Sequence, residues 1–235
     1  SKKPLSILLT SSNFFPTFKL FFGNPSEYIF LCLVPDFQQK PQSSLSFMCS
    51  ELIKSSNYPE SGFFMERHAE LEEIINNCSR KKQKFILFGL AFEILEFGEN
   101  HNLSFNCGYI IETGGTKREQ KIIIRADLHK RLEAAFNTNN IYSEYGMAEL
   151  LTQSYFLNTN YFQHPPWKKI LIRDKTNPLA IVKSDKRGCI NIIDLANIYS
   201  CCFLATNDTG YLVNDGFNII GRTQNAVERG CNLML

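Results

Sequence analysis

Four short, mostly apolar runs, separated by amphipathic stretches, constrain the fold of this chain more than any other feature. They are Tyr28–Val34, Lys84–Gly89, Cys107–Ile111 and Ile141–Ser143. Runs of this length read as strands buried on both faces. Pro35 stops the first of them. Between them, Ser43–Lys54, Ala69–Asn77, Phe92–Phe97 and Ile122–Phe136 read as helices, with Leu71, Ile74 and Ile75 on one face of the second, and Ser61–Met65 as a short extended piece. Strand–helix alternation predicts an α/β fold with a mainly parallel sheet and crossover helices. After Tyr145 the pattern changes. Lys169–Arg173, Cys189–Ile193, Cys202–Thr206, Tyr211–Val213 and Phe217–Ile220 read as short strands separated by turn residues. The chain therefore divides into an α/β core over residues 1–150 and a smaller β-rich subdomain over 151–235.

Composition narrows the partners. Of 235 residues, 44% are hydrophobic and 13% aromatic, enough for a large core. The formal net charge of +2 offers no electrostatic case for nucleic acid. No run approaches the roughly 18 apolar residues of a membrane span. The start Ser1-Lys2-Lys3-Pro4, then Leu5–Leu9, reads as a strand and not as a signal peptide. Most of the eight cysteines lie in apolar runs, as small hydrophobes, which places the protein in a reducing, cytoplasmic setting. His68 and His129 read as surface residues of helices, and Arg80-Lys81-Lys82 as a solvated loop.

Four clusters carry chemistry, each beside an ordinary structural reading. Thr10 and Ser11 follow an apolar strand, where hydroxyls and amides can hold phosphate oxygens or simply make a turn. In Glu112–Lys117, Gly114, Gly115 and Thr116 lie between strand and helix and allow close approach of a planar ring or phosphate, or merely a positive φ. In Ser143–Glu149, a Tyr145 ring can stack on a base, Gly146 lets the chain turn beneath it, and Glu149 can ligate Mg²⁺; the plainer reading is an acidic helix start. Asp208, in Ala205–Tyr211, can take two ribose hydroxyls, with Arg222 following in Gly221-Arg222; Asn207-Asp208 and Asp215-Gly216 equally suit hairpin turns.

In this order the clusters resemble the adenylate-forming enzymes. That superfamily shows a hydroxyl- and glycine-rich phosphate loop, a Gly-Gly adenine turn, a Y-G-x-T-E segment, a T-G-D segment and a G-R pair. Glu112–Lys117, Tyr142–Gln153, Pro165-Pro166-Trp167 with Ile172-Arg173-Asp174, Ile193–Asn197 and Glu228–Leu233 are similar, more narrowly, to the acyl-protein synthetases. Those enzymes are related to phenylacetate-CoA ligases, and one feeds fatty acid to a bacterial bioluminescence reductase.

The resemblance implies an adenylate-forming core without a mobile C-terminal domain, binding ATP and Mg²⁺. It implies activation of a fatty or aryl carboxylic acid to an acyl-adenylate, then transfer to a thiol, with an acyl-accepting protein or carrier as partner. Tyr145 with Gly114-Gly115 would hold adenine, Asp208 and Arg222 the ribose, Glu149 the metal, and Cys231 would accept the acyl group. Two departures stand out. Thr10-Ser11-Ser12 runs into Asn13-Phe14-Phe15-Pro16 instead of a glycine-rich loop, and Ala148 replaces the threonine of Y-G-x-T-E. They leave open a coenzyme A ligase or a non-catalytic nucleotide- or acyl-binding protein.

Overall fold

The computed structural model describes residues 14–223, apart from 102, 104, 115, 116, 119, 120 and 183–185; of the side chains at 117, 118, 121 and 122 it describes nothing. The elements in chain order begin with helix α1 (Phe15–Phe22), strand β1 (Ile29–Leu33), helix α2 (Ser44–Ser55), β2 (Gly62–Phe63) and α3 (His68–Lys81). Next come β3 (Phe85–Leu90), α4 (Ala91–Asn100), β4 (Gly108–Thr113), the two-stranded ribbon β5 (Lys117–Arg118) and β6 (Lys121–Ile122), and α5 (Arg125–Phe136). The last strands are β7 (Ile141–Tyr145), β8 (Ser154–Phe156), β9 (Phe162–Gln163), β10 (Lys168–Arg173), β11 (Gly188–Asp194), β12 (Phe203–Val213) and β13 (Gly216–Arg222). Among the described residues, no helix is long and apolar enough to cross a membrane. The chain forms two compact units, one over residues 22–144 and one over 14–21 with 145–223.

The first unit is a parallel sheet in the order β2-β1-β3-β4-β7. Every residue of β1 and β3 is buried, as expected of strands covered on both faces. Ile29, Leu31, Leu33, Phe85, Leu87 and Ile110 share one core with Leu71 and Ile75 of α3, Ile94 and Phe97 of α4, and Leu128, Leu132 and Phe136 of α5. The alternate residues Phe30, Cys32, Ile86 and Phe88 point to the other face, and α2 packs against β1. Three helix ends carry their own signals. Ser43 Oγ accepts the Ser46 amide at 3.1 Å at the start of α2, while Lys82 (φ 55°) and Asn137 (φ 49°) close α3 and α5 in the left-handed conformation. The chain leaves β1 toward β2, then crosses back to β3, β4 and β7, so the strand order reverses between β1 and β3.

Two expectations change here. The helix expected from Ile122 begins at Arg125, because Ile122 lies in the ribbon and pairs with Lys117. Three consecutive isoleucines, Ile122–Ile124, favour extended backbone. The basic run Arg80-Lys81-Lys82 is a helix end and not a loop.

The second unit is antiparallel, in the order β10-β11-β12-β13-β9-β8, around Leu150, Phe162, Ile170, Ile172, Ile190, Ile192 and Phe217. Its core residues alternate with exposed ones, as along β10. The strands expected at Cys202–Thr206 and Tyr211–Val213 are one continuous strand, β12, so Asn207-Asp208 is no hairpin turn. Pairing with β11 on either side of the dipeptide, at Ala205 and Thr209, and with β13 from Asp208 onward overrides the local turn preference. The second expected turn lies one residue earlier than Asp215-Gly216: Asn214-Asp215 links β12 to β13, with Asn214 at φ 48°, and Gly216 already pairs with Val213.

Candidate functional site

Tyr145 is the last residue of β7, and its hydroxyl donates to Asp208 Oδ2 at 2.7 Å. Arg222 Nε stands 3.2 Å from Asp208 Oδ1, directly across the β12–β13 ladder. The structure thus brings together three residues that lie 63 and 14 positions apart in sequence. The Tyr145 ring packs against Phe162 and Phe217, with centroids at 5.9 and 5.7 Å, and Lys168 Nζ lies 5.8 Å from its centre. Burial, then the neighbouring Asp208 charge and hydrogen bond, hold the Tyr145 phenol well above the ordinary tyrosine value, so it stays a hydrogen-bond donor. An ionised carboxylate has roughly four lone-pair sites. Tyr145 and Arg222 engage one on each oxygen, leaving the Asp208 carboxylate, 15% exposed, able to accept two hydroxyls.

Asp208 owes its position to a bulge. Asn191 of β11 pairs with Ala205, and Cys189 with Thr209, so Ile190 alone faces Thr206, Asn207 and Asp208. Extra residues of this kind bend a strand and re-aim its side chains. Inside the bulge, Asp208 N–H donates to Thr206 Oγ1 at 3.1 Å, Thr206 Oγ1 donates to Ile190 O at 2.8 Å, and Thr223 N–H donates to Asn207 O at 2.9 Å. Arg173, at the end of β10, donates to Thr206 O at 2.7 Å, to Ile190 O at 3.4 Å and to Asn191 Oδ1.

Gly146 follows Tyr145, and Glu149 is exposed in the turn closed by the 3.0 Å bond from Leu150 N to Met147 O. Glu149 is not a helix start. The turn is held by buried side chains of β10, β11 and the short 3₁₀ turn Leu195–Asn197. Asn197 Nδ2 donates to Glu149 O at 3.0 Å, and its Oδ1 accepts Leu151 N–H at 2.9 Å. Asp194 accepts Thr152 N–H at 3.0 Å and Thr152 Oγ1–H at 2.7 Å, and Lys168 Nζ donates to Thr152 O at 2.8 Å. Asp194 and Lys168 are 0% and 1% exposed, so these charges act as internal struts for the turn. A single exposed carboxylate on a braced turn fits Mg²⁺, which takes one or two carboxylates beside substrate phosphates. His164 packs near Phe217 at 6.3 Å, and burial lowers its pKa, favouring the neutral ring.

In the parallel unit, Gly114 follows β4 at φ 97°, where a side chain would be strained. Behind it, Glu112 and Ser143 are paired across β4 and β7, and Ser143 Oγ donates to Glu112 Oε1. His129 is not a surface residue: its Nε2 lies 2.9 Å from Ser143 Oγ and 3.4 Å from Glu112 Oε1. The Ser143 hydroxyl thus lies between the Glu112 carboxylate and the His129 ring. One ring nitrogen faces both serine and acid, so the trio ties α5 to the sheet instead of forming a nucleophile relay, which needs opposite nitrogens.

Thr10, Ser11, Gly115, Thr116 and Cys231 lie outside the described residues. Arg173, Asp194, Asn197 and Lys168 are structural supports of these segments that sequence reasoning did not single out, and Thr206, which it placed beside Asp208, is a fifth. Arg173, Asp194 and Asn197 sit in segments that carried the resemblance, yet nothing local marks them as braces for residues 30 to 50 positions away.

The fold is similar to that of adenylate-forming enzymes. ATP-bound MatB from Rhodopseudomonas palustris superposes with a TM-score of 0.65 at 12% identity, over 90% of this chain and 43% of that one. A benzoate CoA ligase from Burkholderia xenovorans LB400 gives 0.61 at 12% identity, over 87% and 43%. The fatty acyl-adenylate ligases from E. coli and L. pneumophila give 0.55 at 13% identity, over 83% and 44%. The chain thus spans less than half the length of these structures, and at such identities the likeness concerns the fold. No protein-family profile and no curated protein sequence matches the chain.

Proposed function

We propose that this chain activates a fatty or aryl carboxylic acid with ATP and passes the acyl group to a thiol. The observation that carries this reading is the Tyr145–Asp208–Arg222 constellation, within a fold like that of acyl-adenylate ligases. Tyr145 and Gly146 are proposed to hold adenine, and Gly114, Gly115 and Thr116 are the proposed nucleotide-binding turn of the other unit. Asp208 accepts the ribose hydroxyls beside Arg222, and Thr10 and Ser11 bind phosphate oxygens. Glu149 would ligate Mg²⁺, which offsets phosphate charge when bound.

In the first step a carboxylate oxygen attacks the α-phosphorus of ATP, and the bond to the bridging oxygen breaks to release pyrophosphate. In the second, a thiolate attacks the acyl carbonyl carbon and AMP departs with the bonding pair. Cys231 is the proposed thiol, with Arg229 close in sequence to favour its ionised form, and an acyl-accepting protein or carrier is the onward partner. The likeness to a benzoate CoA ligase favours coenzyme A as the alternative acceptor after the same first step. Ala148, with no hydroxyl to offer the α-phosphate, favours a binding protein without catalysis.

Carboxylate-dependent ATP–pyrophosphate exchange tests the reading. One class of acid should stimulate exchange, and Asp208→Asn should lower it about 10- to 100-fold, since hydrogen bonds to a charged group contribute about 1.5–3 kcal/mol. Absence of exchange with every aliphatic and aromatic acid would leave only the binding protein.

A further inference from the structure

We infer that Arg173 is a positioning residue for nucleotide recognition: it clamps the β12 bulge and so sets Asp208 for the ribose hydroxyls. The inference rests on the nucleotide reading above and adds the residue that determines ribose selectivity. A bulge frees backbone groups from the ladder, and buried ones need other partners. Here Ile190 faces three residues, and the carbonyls on either side, Ile190 O and Thr206 O, both accept from the one guanidinium of Arg173. The third contact, to Asn191 Oδ1, fixes the plane of that guanidinium. A planar fork with five donors can span such acceptors together, whereas a lysine ammonium is a compact charge on a flexible stem.

The clamp reaches Asp208 through a short path. Thr206 O is held by Arg173, Thr206 Oγ1 holds the Asp208 amide, and the Asp208 carboxylate meets Tyr145 and Arg222. Without the guanidinium, Thr206 O loses its partner and the bulge can relax toward regular pairing with β11. A one-residue register change would turn the Asp208 side chain to the opposite face. Arg173 does not touch the nucleotide in this scheme. It decides where the carboxylate that does so is placed.

The test compares binding of ATP and 3′-deoxy-ATP by calorimetry, without any carboxylic acid, so that no turnover occurs. The wild-type protein should prefer ATP by at least about tenfold, as expected when a buried polar site loses a partner hydroxyl. Arg173→Met should bring that ratio close to one, and Arg173→Lys should restore little. Thr206→Val, which removes the other half of the clamp and keeps side-chain shape, should lower the ratio in the same direction. Asp208→Asn should abolish the preference, and adding Arg173→Met to it should change the ratio no further. If Arg173→Met and Thr206→Val keep the wild-type ratio while Asp208→Asn loses it, Arg173 is merely structural and this inference falls alone. If the wild-type protein binds neither nucleotide, the adenylate reading falls and takes this inference with it. If Arg173→Met fails to fold, Thr206→Val and Arg173→Lys decide.

Discussion

The parallel unit and the antiparallel unit solve the same problem with different means. In the parallel unit, β1 and β3 bury every residue, and the strands are held by apolar contact on both faces. Gly89 shows how tightly: a Cβ there would meet Leu33 O at 2.6 Å. In the antiparallel unit the core is smaller, and much of the order comes from buried polar groups. Asp194, Lys168, Thr152 and Thr206 are all buried and hydrogen-bonded. Apolar burial is non-directional and tolerates small shifts, whereas hydrogen bonds to turns and bulges specify where individual backbone atoms lie. The residues proposed to hold ribose and metal belong to the second unit, where positions are specified in this way.

The contrast can be broken most severely in the parallel core. Phe88→Ala should cost about 3–5 kcal/mol, as large-to-small changes at fully buried aromatics do, while Phe203→Ala, at a site 68% exposed, should stay within about 0.5 kcal/mol. Urea unfolding of both variants checks this; comparable losses would show that burial does not separate the two sites. Next in size is Asp194→Ala, which strips Thr152 and Ala196 of a charged acceptor in a buried place. A loss of about 3 kcal/mol is expected, together with faster amide exchange at Leu151 and Thr152. Unchanged exchange at those two amides would mean that the turn holds without its strut.

The smallest effect distinguishes the units by pH. Burial, then the neighbouring Tyr109, pushes the Tyr28 phenol up to about 12 from an ordinary 10.0, and Tyr145 is raised as well. A folded-state pKa above the unfolded one means that the native chain binds the proton more tightly. The associated stability is full below pH 10 and is lost as pH rises toward and through the folded values. Tyr28→Phe should flatten the alkaline decline between pH 10 and 12. Tyr145→Phe should flatten the same decline, which for this residue too begins where the unfolded tyrosine titrates. Alkaline melting curves for the two variants that coincide with the wild type would remove both tyrosines from that decline.

Much of the parallel unit was legible because its signals are local. Tyr28–Val34 and Lys84–Gly89 are runs that only a doubly covered strand suits, and β1 and β3 form within a residue of them. Ser43 before an amphipathic stretch caps α2, as its hydroxyl chemistry predicts. Less was legible where two readings compete. Asn207-Asp208 satisfies a turn rule, yet β12 continues through it as a bulge because β11 pairs on either side of the dipeptide and β13 pairs with Asp208. His129 has an ordinary helical context, and only the pairing of β4 with β7 brings Glu112 and Ser143 to it. The short strands β8 and β9 and the helix α1 carry too few periodic residues to register.

Sequence by itself determined the alternation that builds a parallel sheet, the change of character at Tyr145, and the choice of Tyr145, Asp208 and Arg222 as candidates, because spacing and residue chemistry are properties of the chain alone. Tertiary structure decided that Tyr145 and Arg222 share one carboxylate, that β12 bulges to present it, and that Arg173, Asp194 and Asn197 brace backbone far away in sequence. Strand pairing sets those distances, and a side chain acquires its distant partners only once the sheet has placed them within hydrogen-bond reach.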